Sequence, residues 1–425
     1  FAIKGKRLDG NRYVGEALKQ RSSLVIVNQI NKDYPELKQI KVKNTLSFLT
    51  KCSSIFRENI SAKIISITGS CGKTTLKEMI GVSLKEISKT TYSPKSFNNK
   101  YGVPLSLFNL KQNDDFGVLE VGMDKKGEID NLTKIIKPDL GIITNISYAH
   151  SKNFKSIKLI ADAKAEIMNN IKSGGSVVLN MDDNFYKYHK NLALKKKLKV
   201  ISFGIKNKSA MTKLIKIKKI KNKYELLIKI NGSSLAIYSQ NDNQNHLYNI
   251  LATLAVVNLF ADIKKLNKDF FLNFKTPIGR GDISKVKLKN KEIFLVDESY
   301  NSNPLSLKTA IENYDKIKLK DSKKYLILGD MLELGKHSIK QHKLISKILN
   351  KTKISQVYVV GKYIKETFKG LKPNKKAKIL NNKFSIIDLI NKDLNNNDYL
   401  MIKGSNSTGL NKITTNLKQR VSHAI

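Results

Sequence analysis

Apolar residues recur along this chain in short solid blocks separated by segments of helical spacing. Ile64-Ile65-Ser66-Ile67 is one such block, and after a polar turn Leu76, Met79, Ile80, Leu84 and Ile87 line one face of a predicted helix. Similar blocks follow at Val118-Leu119-Glu120-Val121, Gly141-Ile142-Ile143-Thr144, Val177-Val178-Leu179 and Val200-Ile201-Ser202-Phe203. Blocks that are apolar throughout predict strands covered on both faces, hence a mostly parallel sheet between helices. The pattern then changes. Leu226, Ile228 and Ile230 alternate with polar residues, Asn231-Gly232 interrupts, and Leu235 and Ile237 alternate again, which predicts a hairpin. A helix over 246–260 leads to Pro277-Ile278-Gly279-Arg280, where a second strand-helix series begins: Ile293 to Val296, Tyr325 to Leu328, Val357 to Val360 and Tyr399 to Ile402. That series predicts another doubly wound sheet. Ahead of the first block, Phe1-Ala2-Ile3 and Leu24-Val25-Ile26-Val27 read as strands and Val14 to Leu18 as a helix. The expected fold class is therefore α/β in three domains: a small α/β domain over 1–61, a central parallel-sheet domain over 62–276, and a Rossmann-like domain over 277–425.

The 425 residues suit three domains at ~150 residues each. No apolar run approaches the ~18 residues of a membrane span. The stretch Ile250 to Ala261 contains Asn258 and reads as a buried helix. Cys52 and Cys71 make no disulfide framework, so a reducing, cytoplasmic compartment is expected. Phe1 opens the chain inside a strand-like run without Met or a signal-peptide pattern, and residues upstream of it are expected. The net charge of +43 invites a nucleic-acid reading. Its lysines are spread over all segments, however, with no aromatic-interleaved basic stripe and no zinc-ligand spacing. Lys, Asn and Ile share A/T-rich codons, which accounts for the composition without a nucleic-acid partner. A general positive field favours anionic substrates.

The chemistry is concentrated between the first block and its helix, where residues 67–75 read Ile-Thr-Gly-Ser-Cys-Gly-Lys-Thr-Thr. Strand, glycine turn and helix in this order set free backbone N–H groups and a positive helix end around a polyphosphate. Gly69 and Gly72 let the backbone approach the phosphate oxygens, and Ser70, Cys71, Thr75 and their neighbours offer amides. Lys73 carries a point charge for the terminal phosphates, and Thr74 a hydroxyl for Mg²⁺. The position of the usual first glycine holds Ile67 instead.

In open parallel sheets, ligands bind beyond the carboxyl ends of the strands. Glu120 ends one strand there, His150 follows another, and Lys164 lies on a helix soon after. A carboxylate and an imidazole beside a phosphate loop are suited to holding Mg²⁺ on a nucleotide. In the last unit, Asp297-Glu298-Ser299-Tyr300-Asn301-Ser302-Asn303-Pro304, Gly329-Asp330-Met331-Leu332-Glu333-Leu334-Gly335 and Lys403-Gly404-Ser405-Asn406-Ser407 each follow a strand. Three polar loops on one sheet edge are expected to build one composite site facing the central, nucleotide-binding domain.

Together these segments resemble the Mur ligases, the ATP-dependent amide ligases of peptidoglycan assembly. Phe-Ala-Ile-Lys-Gly-Lys-Arg-Leu-Asp-Gly (1–10) is similar to their UDP-sugar domain entered part-way, 69–79 to their ATP loop, and Asn98-Asn99 with Gly102-Val103-Pro104 to a substrate-contacting loop. DESYNSNP, LGDMLELG and KGSNSTG resemble the member that adds a dipeptide. A folylpolyglutamate synthase or another ligase of the family would share the ATP loop without this combination. Two departures stand out: Asn245-His246-Leu247-Tyr248-Asn249, where the family has His-Asn at the first two positions, and Asn406, where it often has Arg.

The resemblance implies a UDP-binding first domain, an ATPase-like central domain, and a reaction joining D-alanyl-D-alanine to UDP-N-acetylmuramoyl-tripeptide through an acyl phosphate. It implies ATP and two Mg²⁺ ions as cofactors, no specific nucleic acid, and a monomer. Lys73, Glu120, His150 and Lys164 would be catalytic, and Thr74, Glu120, His150 and Lys164 would serve the metal, with Lys164 at a position several members carbamylate. Asn249, Arg280, Asp297 and Tyr300 would join the loop in holding the nucleotide. Asn98, Asn99, Asn301, Asn303, Lys403 and Ser405 would contact substrate. Closure of the last domain about a hinge at 270–282 is expected to exclude water.

Overall fold

The computed structural model describes residues 1–425 apart from 6–7, 150, 289–290, 383–384 and 420–425. At the start of the chain, β1 (Val25–Val27) and β2 (Gln39–Lys41) pair in parallel over a small core of Ala2, Val14, Val25 and Val27. Phe1-Ala2-Ile3 do not form the expected strand. Ala2 N–H donates to Ile26 O at 2.8 Å, but Ile3 N–H turns back to Phe1 O and Ile3 O accepts from Gly10 N–H, so a loop replaces the ladder. The helix Thr45–Glu58 then runs to the central sheet. Its buried Arg57 donates to Ile136 O at 2.8 Å and Ile60 O at 2.7 Å and faces Asp139 at 3.6 Å, which fastens the first unit to the second.

The central sheet comprises β3 (Lys63–Thr68), β4 (Thr90–Tyr92), β5 (Phe116–Glu120), β6 (Leu140–Ile143), β7 (Ser176–Asn180), β8 (Lys199–Gly204), β9 (Thr212–Ile220), β10 (Lys223–Ile230) and β11 (Ser233–Ser239), in the order β11-β10-β9-β8-β7-β6-β3-β5-β4. Pairing is parallel from β4 through β9 and antiparallel from β9 to β11. Strand β3 lies between β5 and β6, so connections leave it on both sides and a crevice opens at its carboxyl end. The solid apolar block explains its central place: Ile65 and Ile67 join Leu76, Met79 and the helix Gln244–Phe260 on one face, and Ile64 joins Leu119, Val121 and Ile160 on the other. The expected hairpin is present. Ile230 pairs with Ser233, and Asn231 and Gly232 take φ of 46° and 96°, both left-handed as the tightest two-residue turn requires.

The last sheet comprises β12 (Asp282–Leu288), β13 (Lys291–Glu298), β14 (Lys324–Gly329), β15 (Gln356–Val360), β16 (Lys376–Leu380) and β17 (Tyr399–Lys403), ordered β12-β13-β17-β14-β15-β16. Only the β12–β13 pair is antiparallel, and cores fill both faces. The periodicity did not anticipate β2, β4, β12 and β16, each at a sheet edge, or β9. Edge strands need only one apolar face and are short or lysine-bearing, so they present no solid block. Among the described residues no helix is long and apolar enough to cross a membrane.

A buried imidazole behind the central sheet gives the fold a pH response. His189 is 2% exposed, hydrogen-bonds Ala161 O at 3.1 Å, and burial lowers its pKa to about 4. The neutral ring is the folded form, so its contribution is present above the unfolded value of ~6.5 and is lost as pH falls through about 4. Between pH 7 and pH 4, wild type should lose about 3 kcal/mol more stability than His189→Leu, as read from urea midpoints. Parallel losses in the two proteins would contradict this.

Candidate active site

The turn after β3 is shaped by two glycines. Gly69 has φ 147°, and a Cβ there would lie 1.8 Å from Thr144 Oγ1; Gly72 has φ 83° with Asn249 Oδ1 3.3 Å from its would-be Cβ. The loop is held by the segment after β6. Ser70 N–H donates to Asn145 O at 2.9 Å and Cys71 N–H to Asn145 Oδ1 at 3.0 Å, while Thr144 Oγ1 donates to Cys71 O at 2.7 Å. The Ser70 and Cys71 amides expected to face phosphate therefore brace the loop. The helix Lys73–Lys85 starts at Gly72 with no side-chain cap, which leaves its first-turn amides and its positive end as the anion-binding part. Thr75 sits half-buried in that turn. Gly69→Ala should cost roughly 2 kcal/mol or more of stability and abolish nucleotide binding, since clash and disfavoured φ add. A thermal shift with and without an ATP analogue measures both, and an unchanged Tm with normal binding would contradict the packing described.

The turn faces a cluster of oxygen donors. Glu120, 1% exposed at the end of β5, accepts from Thr74 Oγ1 and from Asn98 Nδ2, each at 2.7 Å. Thr74 Oγ1 also lies 3.1 Å from Ser96 Oγ and accepts from Arg280 Nη2 at 2.8 Å. Arg280 stacks on Tyr300, 4.3 Å from the ring centre. Asn99 Oδ1 accepts from Tyr101 and Gly102 N–H at 3.0 Å each, in the turn that leads into the helix Gly102–Phe108.

Two lysines converge on one carbonyl. Lys73 Nζ donates to Gly69 O at 2.9 Å and Lys164 Nζ to the same oxygen at 3.0 Å. Lys164 is 1% exposed, and burial, then repulsion from Lys73, pushes its ammonium well below the ordinary lysine range. His150 lies outside the described residues.

The three polar loops of the last sheet form one edge. Ser405 Oγ accepts from Leu332 N–H at 2.8 Å and donates to Ser302 O at 3.2 Å, and Ser405 N–H donates to Asp330 O. Lys403, 1% exposed, donates to Glu298 Oε2 and to Asn301 O at 3.0 Å each, so it lies beneath the Glu298–Asn301 loop. Asp297 accepts from Ser299 Oγ at 2.6 Å and from Lys418 Nζ at 2.6 Å. Asn303 caps the helix Pro304–Lys316 in a reciprocal bond with Ser306, and its Nδ2 reaches Ser70 O at 3.2 Å. Farther along the edge, Lys152 N–H donates to Glu333 O at 2.8 Å. The last unit thus touches the phosphate loop directly.

The expected nucleotide positions divide between two concavities. Arg280, Asp297 and Tyr300 line a cavity of about 900 Å³ with Thr74, Ser96, Phe270, Phe274 and Asn411. Asn249 lies on the other side of the loop, in a cleft of about 20 Å³ with Cys71, Gly72, Asn145, Asn245 and Tyr248. Sequence reasoning missed Ser96, Thr144, Asn145 and Lys77. Asn145 carried a signal, being the first polar side chain after the β6 block and Thr144; Lys77 read as an ordinary helix lysine.

Residues 67–257 match the Mur ligase middle domain, and residues 284–406 match the Mur ligase glutamate ligase domain. The chain is 31% identical to the UDP-N-acetylmuramoyl-tripeptide–D-alanyl-D-alanine ligase of Buchnera aphidicola subsp. Baizongia pistaciae, over 98% of this chain and 88% of that one. It is 31% identical to the ligase of the same name from Rickettsia prowazekii, over 97% and 90%. Among solved structures, MurF from Acinetobacter baumannii superposes with a TM-score of 0.83 at 24% identity over 98% of this chain and 90% of that one. The MurF ligase from Thermotoga maritima in complex with ADP gives 0.81 at 24% identity over 100% and 95%. These structures share the fold described above.

Proposed function

This chain belongs to the Mur ligase family, and we propose that within it the chain joins D-alanyl-D-alanine to UDP-N-acetylmuramoyl-tripeptide at the expense of ATP, giving the pentapeptide precursor of peptidoglycan. The observation that carries this reading is the near-full-length similarity to relatives named for that one activity. The site's geometry supplies the chemistry.

A carboxylate is a poor acylating agent, so its oxygen must first take the γ-phosphoryl group of ATP and become an acyl phosphate. The dipeptide amine then attacks the acyl carbon, and the C–O bond breaks with phosphate as leaving group. Lys73 and the uncapped start of the helix Lys73–Lys85 neutralise charge on the transferring group. The donor set suits Mg²⁺, which prefers one or two carboxylates, a hydroxyl and phosphate oxygens: Thr74 Oγ1 and Glu120 Oε2 lie 2.7 Å apart, and Glu120 accepts there from the neutral groups of Thr74 and Asn98. Thr74 and Glu120 would hold Mg²⁺ there, and the chemistry it would supply is withdrawal of charge from the phosphate oxygens. Lys164 suits the carbamate role. Its lowered pKa supplies the neutral amine that adds CO₂ with loss of a proton, and the product keeps one N–H for Gly69 O.

Within this reading, residues 1–61 hold the UDP-sugar, 62–276 the nucleotide, and 277–425 close over both and keep water from the acyl phosphate. Gly279 and Gly281, at φ 77° and 96°, give the connecting segment its freedom. The enzyme acts as a cytoplasmic monomer.

The test follows a label. Heavy oxygen in the terminal carboxylate of the tripeptide should appear in the released phosphate, alongside a pentapeptide product identified by mass. Label retained wholly in the peptide would overturn the acyl phosphate, and absence of pentapeptide would overturn the ligase reading.

A further inference from the structure

The helix that begins at the phosphate loop carries a buried cation that the chemistry above does not use. Lys77 is fully buried, one turn beyond Lys73. All three ammonium hydrogens have partners: Nζ lies 2.5 Å from Ser93 O, 2.8 Å from Lys95 O and 2.7 Å from Glu78 Oε1. A buried ammonium is costly unless fully paired, so its partners indicate what it is there to hold.

Besides Glu78 on its own helix, those partners are two carbonyls of one short segment, Ser93 to Lys95, just after β4. Drawing both onto one nitrogen forces a tight curl, and Lys95 takes a left-handed φ of 47°. The curl delivers the next residues to the site. Ser96 Oγ reaches Thr74 Oγ1 at 3.1 Å, and Asn98 Nδ2 reaches Glu120 Oε1 at 2.7 Å. Asn98 O accepts from Gly122 N–H at 2.7 Å, and Ser93 Oγ accepts from Glu120 N–H at 3.3 Å, so the same segment is stitched to the end of β5 on both sides of the carboxylate. One helix therefore sets Thr74 through its backbone and Asn98 through Lys77.

We propose that Lys77 is a positioning residue for the ligase reaction: it curls residues 93–98 so that Asn98 and Ser96 meet Glu120 and Thr74, and so sets the tripeptide side of the site relative to the phosphate loop. The proposal rests on the functional reading above. Lys77 touches no phosphate in this account; its effect passes through the curl. A methionine at 77 has similar length but no hydrogens to give, so both carbonyls lose their donor and the curl relaxes. An arginine keeps the charge and restores part of the pairing.

Hydrogen exchange on the full chain tests the placement without relying on activity. In Lys77→Met, amide protection should fall selectively over 93–102, with the rest of the helix Lys73–Lys85 unchanged. Kinetics test the consequence: kcat/KM for the tripeptide should fall roughly 10- to 100-fold. The KM for ATP should stay within about threefold, and Lys77→Arg should recover part of the loss. Asn98→Ala added to Lys77→Met should cost little more than either change alone, because both remove one contact. Unchanged protection over 93–102, equal loss of ATP and tripeptide parameters, or full additivity with Asn98→Ala would each overturn the proposal. If Lys77→Met does not fold, Lys77→Arg carries the same comparisons. A wild-type enzyme that fails to ligate would count against the functional reading alone, and exchange would still decide the role of Lys77.

Discussion

Lys73→Ala should abolish ligation while leaving a folded protein. The side chain is half-buried and makes one hydrogen bond, to Gly69 O, so its removal opens no large cavity. In the proposed reaction its charge would meet the γ-phosphoryl group, where negative charge shifts as the acyl phosphate forms. Removing one preorganised donor from such a site costs on the order of 10²–10³ in kcat, and here a full charge is lost as well. Lys73 also repels Lys164, so the variant should raise the pKa of Lys164 toward the ordinary lysine range and reduce its neutral fraction. Single-turnover phosphate release measures the first effect and a bicarbonate titration the second. Residual activity within tenfold of wild type would show that the phosphates are held elsewhere.

Glu120→Gln should produce the second-largest loss, without a loss of stability. Its carboxylate is 1% exposed and accepts from neutral Thr74 and Asn98. Lys164 attracts this carboxylate, but its hydrogen bonds come from neutral donors, and burial on those terms is costly for the fold. The amide is nearly isosteric, so Tm should hold or rise. The Mg²⁺ concentration for half-maximal activity should rise at least ~10-fold, and kcat should fall ~10²-fold or more. A Mg²⁺ titration on both proteins measures this. Unchanged Mg²⁺ dependence would remove Glu120 from the metal site.

The parts of this protein that were legible in the sequence are those where a single strong constraint acts. The phosphate loop is legible because Gly69 and Gly72 stand where a Cβ would collide or φ is left-handed, and no other residue type serves there. The β10–β11 hairpin is legible because alternation and Asn231-Gly232 agree. The contacts that hold the loop were not legible, since Thr144 and Asn145 act on Ser70 and Cys71 from more than seventy residues away. Distance in sequence also hid Arg280 on Thr74 and Asn303 on Ser70. Lys77 was hidden differently. Lysine in a helix usually marks solvent, and nothing local says that this one turns inward beneath β4. Asn98 and Asn99 look alike in the sequence, yet Asn98 bonds Glu120 while Asn99 Oδ1 accepts from the Tyr101 and Gly102 amides of its own turn.

The central claim is that ATP cleavage here is tied to joining two specific substrates. Phosphate release from Mg·ATP should be measured with UDP-N-acetylmuramoyl-tripeptide and D-alanyl-D-alanine added separately and together. The account predicts sustained release only when both are present, in step with pentapeptide formation. Release that ignores both substrates and rises with nucleic acid would contradict it.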